Sequence, residues 1–271
     1  MIKVHIPNFS LRQISDSGQC FRMREEADGS FTLIANAHFL RMEQCDEEVT
    51  FHCSEVEYET IWKEYFDLNT EYARYMQVID ADDSYLRDAA AFGSGIRILR
   101  QDVWEMIITF IISQQNNIKR IRKCIDTICE KYGEEITASD GTSFYTFPSP
   151  ETLAKVSEEE FRACNLGYRS KYLVQTSRMI AEGEFELQRM EKLDYSKAKQ
   201  ELLKLSGIGI KVADCICLFG LHMLDAFPVD THIIKVLEEH YPKGFPFEKY
   251  QGFSGVLQQY IFYFDLMKKG V

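Results

Sequence analysis

The sequence feature that most constrains this chain is the stretch of residues 205–232. Gly207 and Gly209 stand two residues apart, and glycine permits both a positive φ and the close approach of another backbone. Apolar residues recur at helical spacing between Val212 and Phe219, which predicts a helix with Lys211 in its first turn. A glycine turn that leads into a helix N-terminus presents unpaired N–H groups, which favour an anion such as a phosphate.

The same stretch ends with an acidic residue at a second predicted helix start. Asp230 follows Pro228 and precedes another helical pattern, so it is a candidate N-cap. Burial and the positive end of a helix both disfavour an ammonium, so we expect a lowered pKa for Lys211. An amine beside a carboxylate suits attack on the anomeric carbon of a nucleotide, which releases the base and leaves an imine that can undergo β-elimination. The alternative is that Lys211 is an exposed helix residue and Asp230 a simple cap.

The net charge of −11 argues against binding to DNA until the charge is divided along the chain. Residues 1–95 contain 8 Lys or Arg and 18 Asp or Glu, whereas residues 96–271 contain 23 and 24. The acidity therefore belongs to the N-terminal third. The remainder is nearly neutral, with basic clusters at residues 119–123 and 169–171, and the local field matters more for phosphate binding than the total charge does. The alternative for these clusters is a solvated helix face.

The N-terminal part of the sequence differs in pattern from the rest. Residues 2–53 show short apolar runs separated by turn signals, and Asp28-Gly29 is a favourable hairpin dipeptide, so this part predicts an antiparallel sheet. Gly93-Ser94-Gly95 predicts a joint, and the chain beyond it shows helical patterns almost throughout. We therefore predict an α+β protein with an N-terminal antiparallel β-sheet domain at residues 1–95 and a mainly α-helical domain at residues 96–271.

Two short segments in the helical region contain residues that a core does not need. An apolar helix predicted at residues 103–112 ends in Ser113-Gln114-Gln115-Asn116-Asn117, where Asn117 can cap the next helix. Leu166-Gly167-Tyr168-Arg169 opens a further helix. The amides can form a capping loop or reach base edges and phosphates. The aromatic and the arginine can pack on the surface, or one can push between bases while the other holds a phosphate.

The eight cysteines and the N-terminus bear on the compartment. None of the cysteines forms a C-x-x-C pair, which disfavours a metal or iron–sulfur site. The first residues, Met-Ile-Lys-Val-His-Ile-Pro, lack a signal-peptide pattern, and no apolar run reaches membrane-spanning length. We therefore expect reduced thiols, a cytoplasmic protein and no membrane partner.

The ordered set of two glycines, a lysine, a helix and Pro-Val-Asp resembles the signature of the helix–hairpin–helix glycosylase superfamily. Within it the chain is similar to the 8-oxoguanine DNA glycosylase family, over almost all 271 residues. The similar segments are Ser-Gly-Gln-Cys-Phe-Arg (17–22), Ile-Arg-Ile-Leu-Arg-Gln-Asp (96–102), Asn-Asn-Ile (116–118), Leu-Gly-Tyr-Arg (166–169), Lys-Val-Ala-Asp-Cys-Ile-Cys-Leu (211–218) and Pro-Val-Asp-Thr-His (228–232). The resemblance implies two helical subdomains after the sheet, with double-stranded DNA bound at the cleft between them and the protein associated with the nucleoid through that DNA.

The resemblance implies a bifunctional DNA glycosylase/AP lyase that excises 8-oxoguanine from duplex DNA by base flipping. Lys211 would be the Schiff-base nucleophile and Asp230 its acidic partner. The carbonyl of Gly18 would accept the N7 hydrogen that 8-oxoguanine has and guanine lacks. Phe262 and Cys215 would sandwich the flipped base.

The remaining roles implied by the resemblance concern the base edge and the DNA backbone. Gln258 would bind the Watson–Crick edge of the lesion. His232, oriented by Asp265 behind it, would face a backbone phosphate. Gly207 and Gly209 would bring the hairpin close to the DNA backbone.

A further set of residues is implied at the gap that the flipped base leaves. Asn116 and Asn117 belong to the loop at this gap. Arg120 and Arg169 would contact the estranged cytosine. Tyr168 would wedge into the base stack.

The sequence departs from the family pattern at two places. Gln114-Gln115 stand where the eukaryotic form has a different polar pair, and Met23 replaces an aromatic residue. These departures favour a bacterial or archaeal branch with relaxed reading of the opposite base. No cysteine follows Cys217, which disfavours the related types that carry a C-terminal four-cysteine iron–sulfur loop.

We therefore expect a monomer that needs no cofactor and has neither a metal site nor an iron–sulfur cluster. A monovalent cation at the hairpin loop is left open. Two alternatives also remain open. The same chemistry can act on another oxidised base, such as formamidopyrimidine or an oxidised pyrimidine. The hairpin can also serve only to hold DNA, in a protein without enzymatic activity.

Overall fold

The computed structural model describes residues 1–268, and the chain begins with a five-stranded antiparallel sheet. The strands are β1 (Ile2–His5), β2 (Met23–Glu25), β3 (Phe31–Ala35), β4 (His38–Cys45) and β5 (Glu48–Phe51). Their order across the sheet is β1-β5-β4-β3-β2, so the first strand pairs with the fifth and β2 forms one edge. The predicted antiparallel sheet is confirmed.

The β2–β3 hairpin turns at Asp28-Gly29, as the sequence predicts. Gly29 has a φ of 82°, and a carboxylate oxygen of Asp28 accepts a hydrogen bond from the Ser30 N–H at 3.0 Å. Alternate residues of β3, beginning with Phe31, are buried, as expected for a strand with one face on a core. Phe51 of β5 makes an edge contact with Phe66 on that face, with ring centroids 5.9 Å apart.

Short helices cover the buried face of the sheet. They are α1 (Leu11–Asp16), α2 (Glu55–Glu57), a π-helical turn (Tyr58–Trp62) and α3 (Lys63–Tyr65). The sequence pattern predicted only strands over residues 2–53, and α1 is missed because six residues are too few to show a helical period. Helix α1 matters for the site because it leads directly into residues 17–22.

The remaining helices surround a second core. They are α4 (Ala73–Gln77), α5 (Ser84–Phe92), α6 (Val103–Ser113), α7 (Ile118–Tyr132), α8 (Pro150–Leu153), α9 (Glu158–Ala163), α10 (Arg169–Ala181), α11 (Leu187–Met190), α12 (Tyr195–Leu202), α13 (Ile210–Phe219), α14 (Thr231–His240) and α15 (Ser254–Lys268). A two-stranded ribbon of β6 (Glu135–Thr137) and β7 (Ser143–Tyr145) and a 3₁₀ turn (Phe247–Tyr250) lie among them. The predicted mainly helical region is confirmed, and the ribbon is missed because each of its strands has only three residues.

Helices α6, α13 and α15 form the centre of the helical core. Nearly every residue of α6 and α13 is buried, and Phe110 of α6 stacks on Phe219 of α13 with ring centroids 5.5 Å apart. A methyl group on Gly255 would lie 2.3 Å from the carbonyl oxygen of Ala226 and 2.7 Å from Leu218. Only glycine lets the first turn of α15 pack this closely against α13 and the loop after it. No helix of the described part is both long and apolar enough to cross a membrane.

The two hydrophobic cores do not divide the chain strictly at the predicted joint. The sheet core contains buried residues from Ile6 to Phe66 and, in addition, Leu99. The helical core includes Tyr72 and Leu86, which precede residue 95. Leu86 belongs to α5, which packs along α15. The division at residue 95 stays a prediction for the domain boundary.

The cysteines are unpaired and mostly out of contact with solvent. Six of the eight are buried, Cys53 is partly buried and Cys45 is exposed. Burial raises the pKa of the Cys53 thiol to about 11 and the pKa of the Cys129 and Cys217 thiols to about 12. A raised pKa keeps these sulfurs as neutral thiols at neutral pH.

A buried ion pair joins the sheet to the helical core. Arg22 donates from one guanidinium nitrogen to the carbonyl oxygen of Tyr145, and another of its nitrogens lies 3.7 Å from a carboxylate oxygen of Glu105 in α6. The side chains of Arg22 and Glu105 are 5% and 13% exposed. Burial raises the pKa of Glu105 from 4.5 to about 7, although Arg22 lowers it.

We expect Glu105 to make the protein less stable as pH rises from about 4.5 to about 7. The folded state holds the Glu105 proton more tightly than the unfolded state, so this stabilisation is complete below pH 4.5 and is lost as pH rises through the folded pKa. Urea unfolding at pH 4.5 and pH 8 should show that Glu105→Gln removes a pH-dependent difference on the order of 2 kcal/mol. The exposed Glu59→Gln is the control, and parallel pH profiles for the parent and Glu105→Gln would contradict the assignment.

Candidate active site

In the hairpin between α12 and α13, Gly207 is closely packed and Gly209 is not. Gly207 has a φ of 79°, and a methyl group there would lie 2.5 Å from the ring of Tyr172. Gly209 has an ordinary φ of −94° with open space around its Cα. The positive φ that glycine permits is therefore used at Gly207 and not at Gly209. The side-chain amide of Gln114 donates to the carbonyl oxygen of Gly207 at 2.8 Å, which ties the hairpin to the loop after α6.

Lys211 lies in the first turn of α13 and is partly buried, so the interpretation of an exposed helix residue does not hold. Its Nζ is 5.6 Å from the centre of the Phe110 ring, and Cys215 and Asp230 lie close enough to affect its pKa. Burial lowers the pKa of Lys211, but the Cys215 sulfur and the Asp230 carboxylate raise it, and the net effect is a pKa above the usual range. The expected lowering is therefore wrong for the free protein.

The protonation state of Cys215 determines what faces the Lys211 amine. Burial raises the pKa of the Cys215 thiol, although Lys211 lowers it. The thiol is therefore neutral at neutral pH, and Asp230 remains as the negative charge near the ammonium. An ammonium has no free electron pair, so Lys211 could act as a nucleophile only after the loss of this proton.

Asp230 is the N-cap of α14, as the sequence predicts. One carboxylate oxygen accepts hydrogen bonds from the N–H groups of His232 and Ile233, both at 2.9 Å. A hydrogen bond ties the loop before Asp230 to α15. The side-chain amide of Gln258 in α15 donates to the carbonyl oxygen of Pro228 at 2.9 Å. Gln258 is 3% exposed, and its Oε1 has no hydrogen-bond partner among residues 1–268.

The segment that follows α1 and helix α15 meet beside the loop that contains Asp230. A methyl group on Gly18 would lie 3.2 Å from the ring of Phe262 in α15. The ring of His232 makes an edge contact with Phe262, with centroids 5.7 Å apart, and its Nδ1 lies 2.6 Å from a carboxylate oxygen of Asp265. The structure thus brings Gly18 against Phe262, and it places His232 and Asp265 together as the sequence predicts.

The two asparagines predicted to lie at the gap left by the flipped base make hydrogen bonds within the protein. Asn117 caps α7 by accepting from the Arg120 N–H at 2.9 Å. Asn116 donates to the carbonyl oxygen of Ile112 at 3.1 Å and accepts from the Asn117 N–H at 3.0 Å. In the free protein these two amides form a capping loop, which is one of the two interpretations that the sequence allows. Their contact with DNA stays a prediction.

The two predicted arginines occupy different environments. Arg120 is exposed, and its guanidinium donates to the carbonyl oxygen of Asn165 at 2.9 Å. Arg169 is 3% exposed and donates to the carbonyl oxygens of Gln114, Gln115 and Leu166. Contact of Arg169 with a base would require these bonds to break, whereas Arg120 needs little rearrangement.

Tyr168 is available on the surface. Its side chain is 46% exposed and lies against the guanidinium of Arg169, 4.6 Å from the ring centre. Sequence reasoning missed Gln114 as a residue of the hairpin, since its partner is a backbone carbonyl with no sequence signature. It also missed Phe110, whose apolar character is shared by the whole of α6. Within the described residues, no cluster of three or more His, Cys, Asp or Glu is placed to hold a metal ion.

Comparison with known families agrees with this geometry. Residues 1–107 match the family model for the 8-oxoguanine DNA glycosylase N-terminal domain, and residues 108–244 match that for the HhH-GPD superfamily of base excision DNA repair proteins. The chain therefore belongs to the HhH-GPD superfamily of base excision DNA repair proteins. Its N-terminal domain and its structural relatives place it, within that superfamily, in the 8-oxoguanine DNA glycosylase family.

Individual relatives support this placement. The structure of Clostridium acetobutylicum 8-oxoguanine glycosylase/lyase, solved with double-stranded DNA containing cytosine opposite 8-oxoguanine, is 37% identical with a TM-score of 0.91, over 97% of this chain and 93% of that one. An N-glycosylase/DNA lyase of Saccharomyces cerevisiae is 38% identical over 54% of this chain, and N-glycosylase/DNA lyase OGG1 of Arabidopsis thaliana is 33% identical over 81% of it. The matches span 42% and 63% of the lengths of these two curated relatives.

Replacement of the two arginines should separate a structural role from a surface role. Arg169→Gln removes a buried guanidinium and the charged hydrogen bonds by which it ties α10 to the loop at Gln114 and Gln115, so we expect the free energy of unfolding to fall by about 1–3 kcal/mol. Arg120→Gln removes one exposed bond and should change it by less than about 0.5 kcal/mol. Urea denaturation measures both, and equal effects would show that the burial of Arg169 does not stabilise the fold.

Proposed function

We propose that this protein is a bifunctional DNA glycosylase and AP lyase that removes 8-oxoguanine from duplex DNA. The observation that carries the proposal is the proximity of the partly buried Lys211 to the Asp230 carboxylate. The loop that contains Asp230 is bonded to Gln258, and Gly18 packs on Phe262 beside His232. The lysine and the carboxylate supply the chemistry, and the groups around Phe262 supply the recognition of a base. A non-enzymatic DNA-binding hairpin would need neither the buried amine nor the carboxylate.

The reaction begins with a base that leaves the helical stack, because its sugar cannot be reached inside a duplex. The Lys211 amine, once it has lost its proton, forms a bond to the anomeric carbon while the bond to the base breaks, and the base leaves with a proton. The sugar ring then opens to an imine. Loss of a hydrogen from the adjacent C2′ breaks the bond to the 3′ phosphate, which completes β-elimination.

Asp230 has two roles in this scheme. Its carboxylate stabilises the positive charge that develops on the sugar as the base departs. It also raises the pKa of Lys211, which keeps the amine protonated until the substrate is bound. The N-cap bonds to His232 and Ile233 hold the carboxylate in a fixed direction, so that both effects act at one place.

Recognition of the lesion depends on acceptors that the free protein leaves unused. The carbonyl oxygen of Gly18 accepts no hydrogen bond within residues 1–268, so it can accept the N7 hydrogen of 8-oxoguanine. Guanine lacks this hydrogen, and an unpaired acceptor in a closed pocket disfavours it by ~1–3 kcal/mol. The unpaired Oε1 of Gln258 can accept from the Watson–Crick edge. We place the base between Cys215 and Phe262.

The DNA backbone and the opposite strand contact other parts of the protein. The N–H groups at Gly207 and Gly209 and the ring of His232, held by Asp265, face backbone phosphates. The following residues lie at the gap left by the flipped base: Asn116, Asn117, Arg120, Tyr168 and Arg169. Arg120 and Tyr168 are exposed in the free protein, so they are the first of this set to meet DNA. A monomer, a cytoplasmic location and a monovalent cation at the hairpin stay predictions.

Borohydride trapping on duplex DNA with 8-oxoguanine opposite cytosine tests the proposal. The parent protein should form a covalent cross-link, and Lys211→Gln should form none because it has no amine to make the imine. Duplexes with formamidopyrimidine or an oxidised pyrimidine, present in the same assay, test the other lesions. A preference for one of these lesions would make it the substrate in place of 8-oxoguanine. Cross-linking by Lys211→Gln would show that another residue is the nucleophile.

Two substitutions of Asp230 should separate its charge from its capping role. Asn retains an oxygen that can accept from the His232 and Ile233 N–H groups, so Asp230→Asn should keep stability while base excision slows by about 100-fold. Asp230→Ala should slow excision similarly and also lower the free energy of unfolding by about 1 kcal/mol. Single-turnover excision and thermal unfolding measure the two effects, and full activity of Asp230→Asn would exclude the charge as the cause.

A further inference from the structure

A buried glutamine fixes the peptide that contains the Gly18 carbonyl. The Gln19 side chain is fully buried, and its Nε2 donates to Ser17 Oγ at 2.9 Å and to the carbonyl oxygen of Arg97 at 2.8 Å. Its Oε1 accepts from the Leu99 N–H at 2.9 Å. Both amide donors and the acceptor are therefore in use. The Gly18 carbonyl carbon is bonded to the Gln19 nitrogen, so the anchoring of Gln19 restricts the plane of that peptide.

A second buried glutamine secures the other side of the same residue. Gln101 is 7% exposed, and its Nε2 donates to the carbonyl oxygen of Gln19 at 3.0 Å. The N–H of Gln101 donates to the carbonyl oxygen of Phe219 at 3.3 Å. Phe219 is the last residue of α13, the helix whose first turn carries Lys211. Gln101 thus links the carbonyl of Gln19, the residue that follows Gly18, to the helix of the proposed nucleophile.

Gly18 needs this external support because glycine does not fix its own backbone direction. Its φ of 74° is one of several regions that glycine occupies with similar ease. The ring of Phe262 limits the space on one side but does not bond to the carbonyl. A hydrogen bond weakens steeply when its angle departs from linear, so a rotated Gly18 carbonyl would lose the N7 contact while the pocket stayed in place.

We propose that Gln19 and Gln101 are positioning residues that aim the Gly18 carbonyl at the N7 hydrogen of 8-oxoguanine and thereby set the discrimination against guanine. This inference rests on the proposed function. Two buried amides that served only to fill space could be replaced by apolar side chains of the same length without a selective effect on base recognition. The hydrogen bonds that these two amides make with Arg97, Leu99 and Gln19 instead predict an effect on recognition of the base and not on the chemistry of Lys211.

The test compares Gln101→Met with Gln44→Met. Methionine has about the length of glutamine but cannot donate to the Gln19 carbonyl. Gln44 is a matched control, because its amide donates to the Phe9 carbonyl at 2.7 Å and accepts from the Leu11 N–H at 2.8 Å, away from residues 17–22. Thermal unfolding establishes that both variants are folded.

Two activities are then measured for each protein. The first is single-turnover excision of 8-oxoguanine opposite cytosine. The second is borohydride trapping on a preformed abasic site, which needs Lys211 but no contact with a base. We expect Gln101→Met to slow excision by about tenfold, as expected for one misdirected hydrogen bond, and to change trapping by less than about twofold. Competition binding in the Lys211→Gln background should show a matching fall in the preference for 8-oxoguanine over guanine.

The other outcomes overturn the inference. Equal losses in excision and trapping would mean that Gln101 acts through Lys211 or through the fold. Unchanged excision by Gln101→Met would mean that its bond to Gln19 has no role in recognition. A loss of excision without a loss of trapping in Gln44→Met would mean that the effect does not depend on the bond to Gln19. If Gln101→Met does not fold, Gln101→Asn keeps the amide but shortens its reach, and the same criteria apply. Failure of the parent protein to excise 8-oxoguanine is detected before any variant is compared, and it would overturn the proposed function and this inference with it.

Discussion

The contact between Gly18 and Phe262 is the constraint on which the site depends. These residues come from opposite ends of the chain, and a methyl group on Gly18 would lie 3.2 Å from the phenyl ring, so a side chain fits there only if the ring shifts. The contact exists only when the connection from α1 to β2 is docked on α15. The buried pair of Arg22 and Glu105 links the segment before β2 to α6 and helps to hold it in this position. The proposed base site therefore requires that the segment after α1 is docked on α15, because Gly18 and Phe262 come from different parts of the chain.

The same close packing determines the charge of the proposed nucleophile. In the free protein, Lys211 is an ammonium that faces the Asp230 carboxylate across a partly buried space. This arrangement stabilises the resting protein and delays the chemistry, because a proton must leave before the amine can attack. The capping bonds of Asp230 keep the carboxylate in place after that proton has left. A single acidic residue thus contributes to helix stability, to the resting charge and to the proposed transition state.

The sequence predicts those parts of the structure that leave a local pattern. The order of sheet and helices, the cap at Asp230 and the tight turn at Gly207 follow from periodicity and from residue types with strong backbone preferences. Gln19, Gln101 and Gln114 could not be placed in this way, because each bonds to a backbone carbonyl that is distant in sequence, and any residue supplies such a carbonyl. The direction of the Lys211 pKa was missed because it depends on how two neighbouring groups outweigh burial. That balance depends on distances, which a sequence does not contain.

The burial of the cysteines has a consequence for the chemical durability of the protein. The proposed substrate is itself a product of oxidation, so the protein would work where oxidants are present. Peroxides react with thiolates much faster than with thiols, and a raised pKa keeps most of these sulfurs in the less reactive form. Cys215 and Cys217 lie on the helix that carries Lys211, where sulfur oxidation would introduce polar oxygens into a closely packed core. The dense packing of α13 thus also protects the helix of the proposed nucleophile from the kind of damage that creates the proposed substrate.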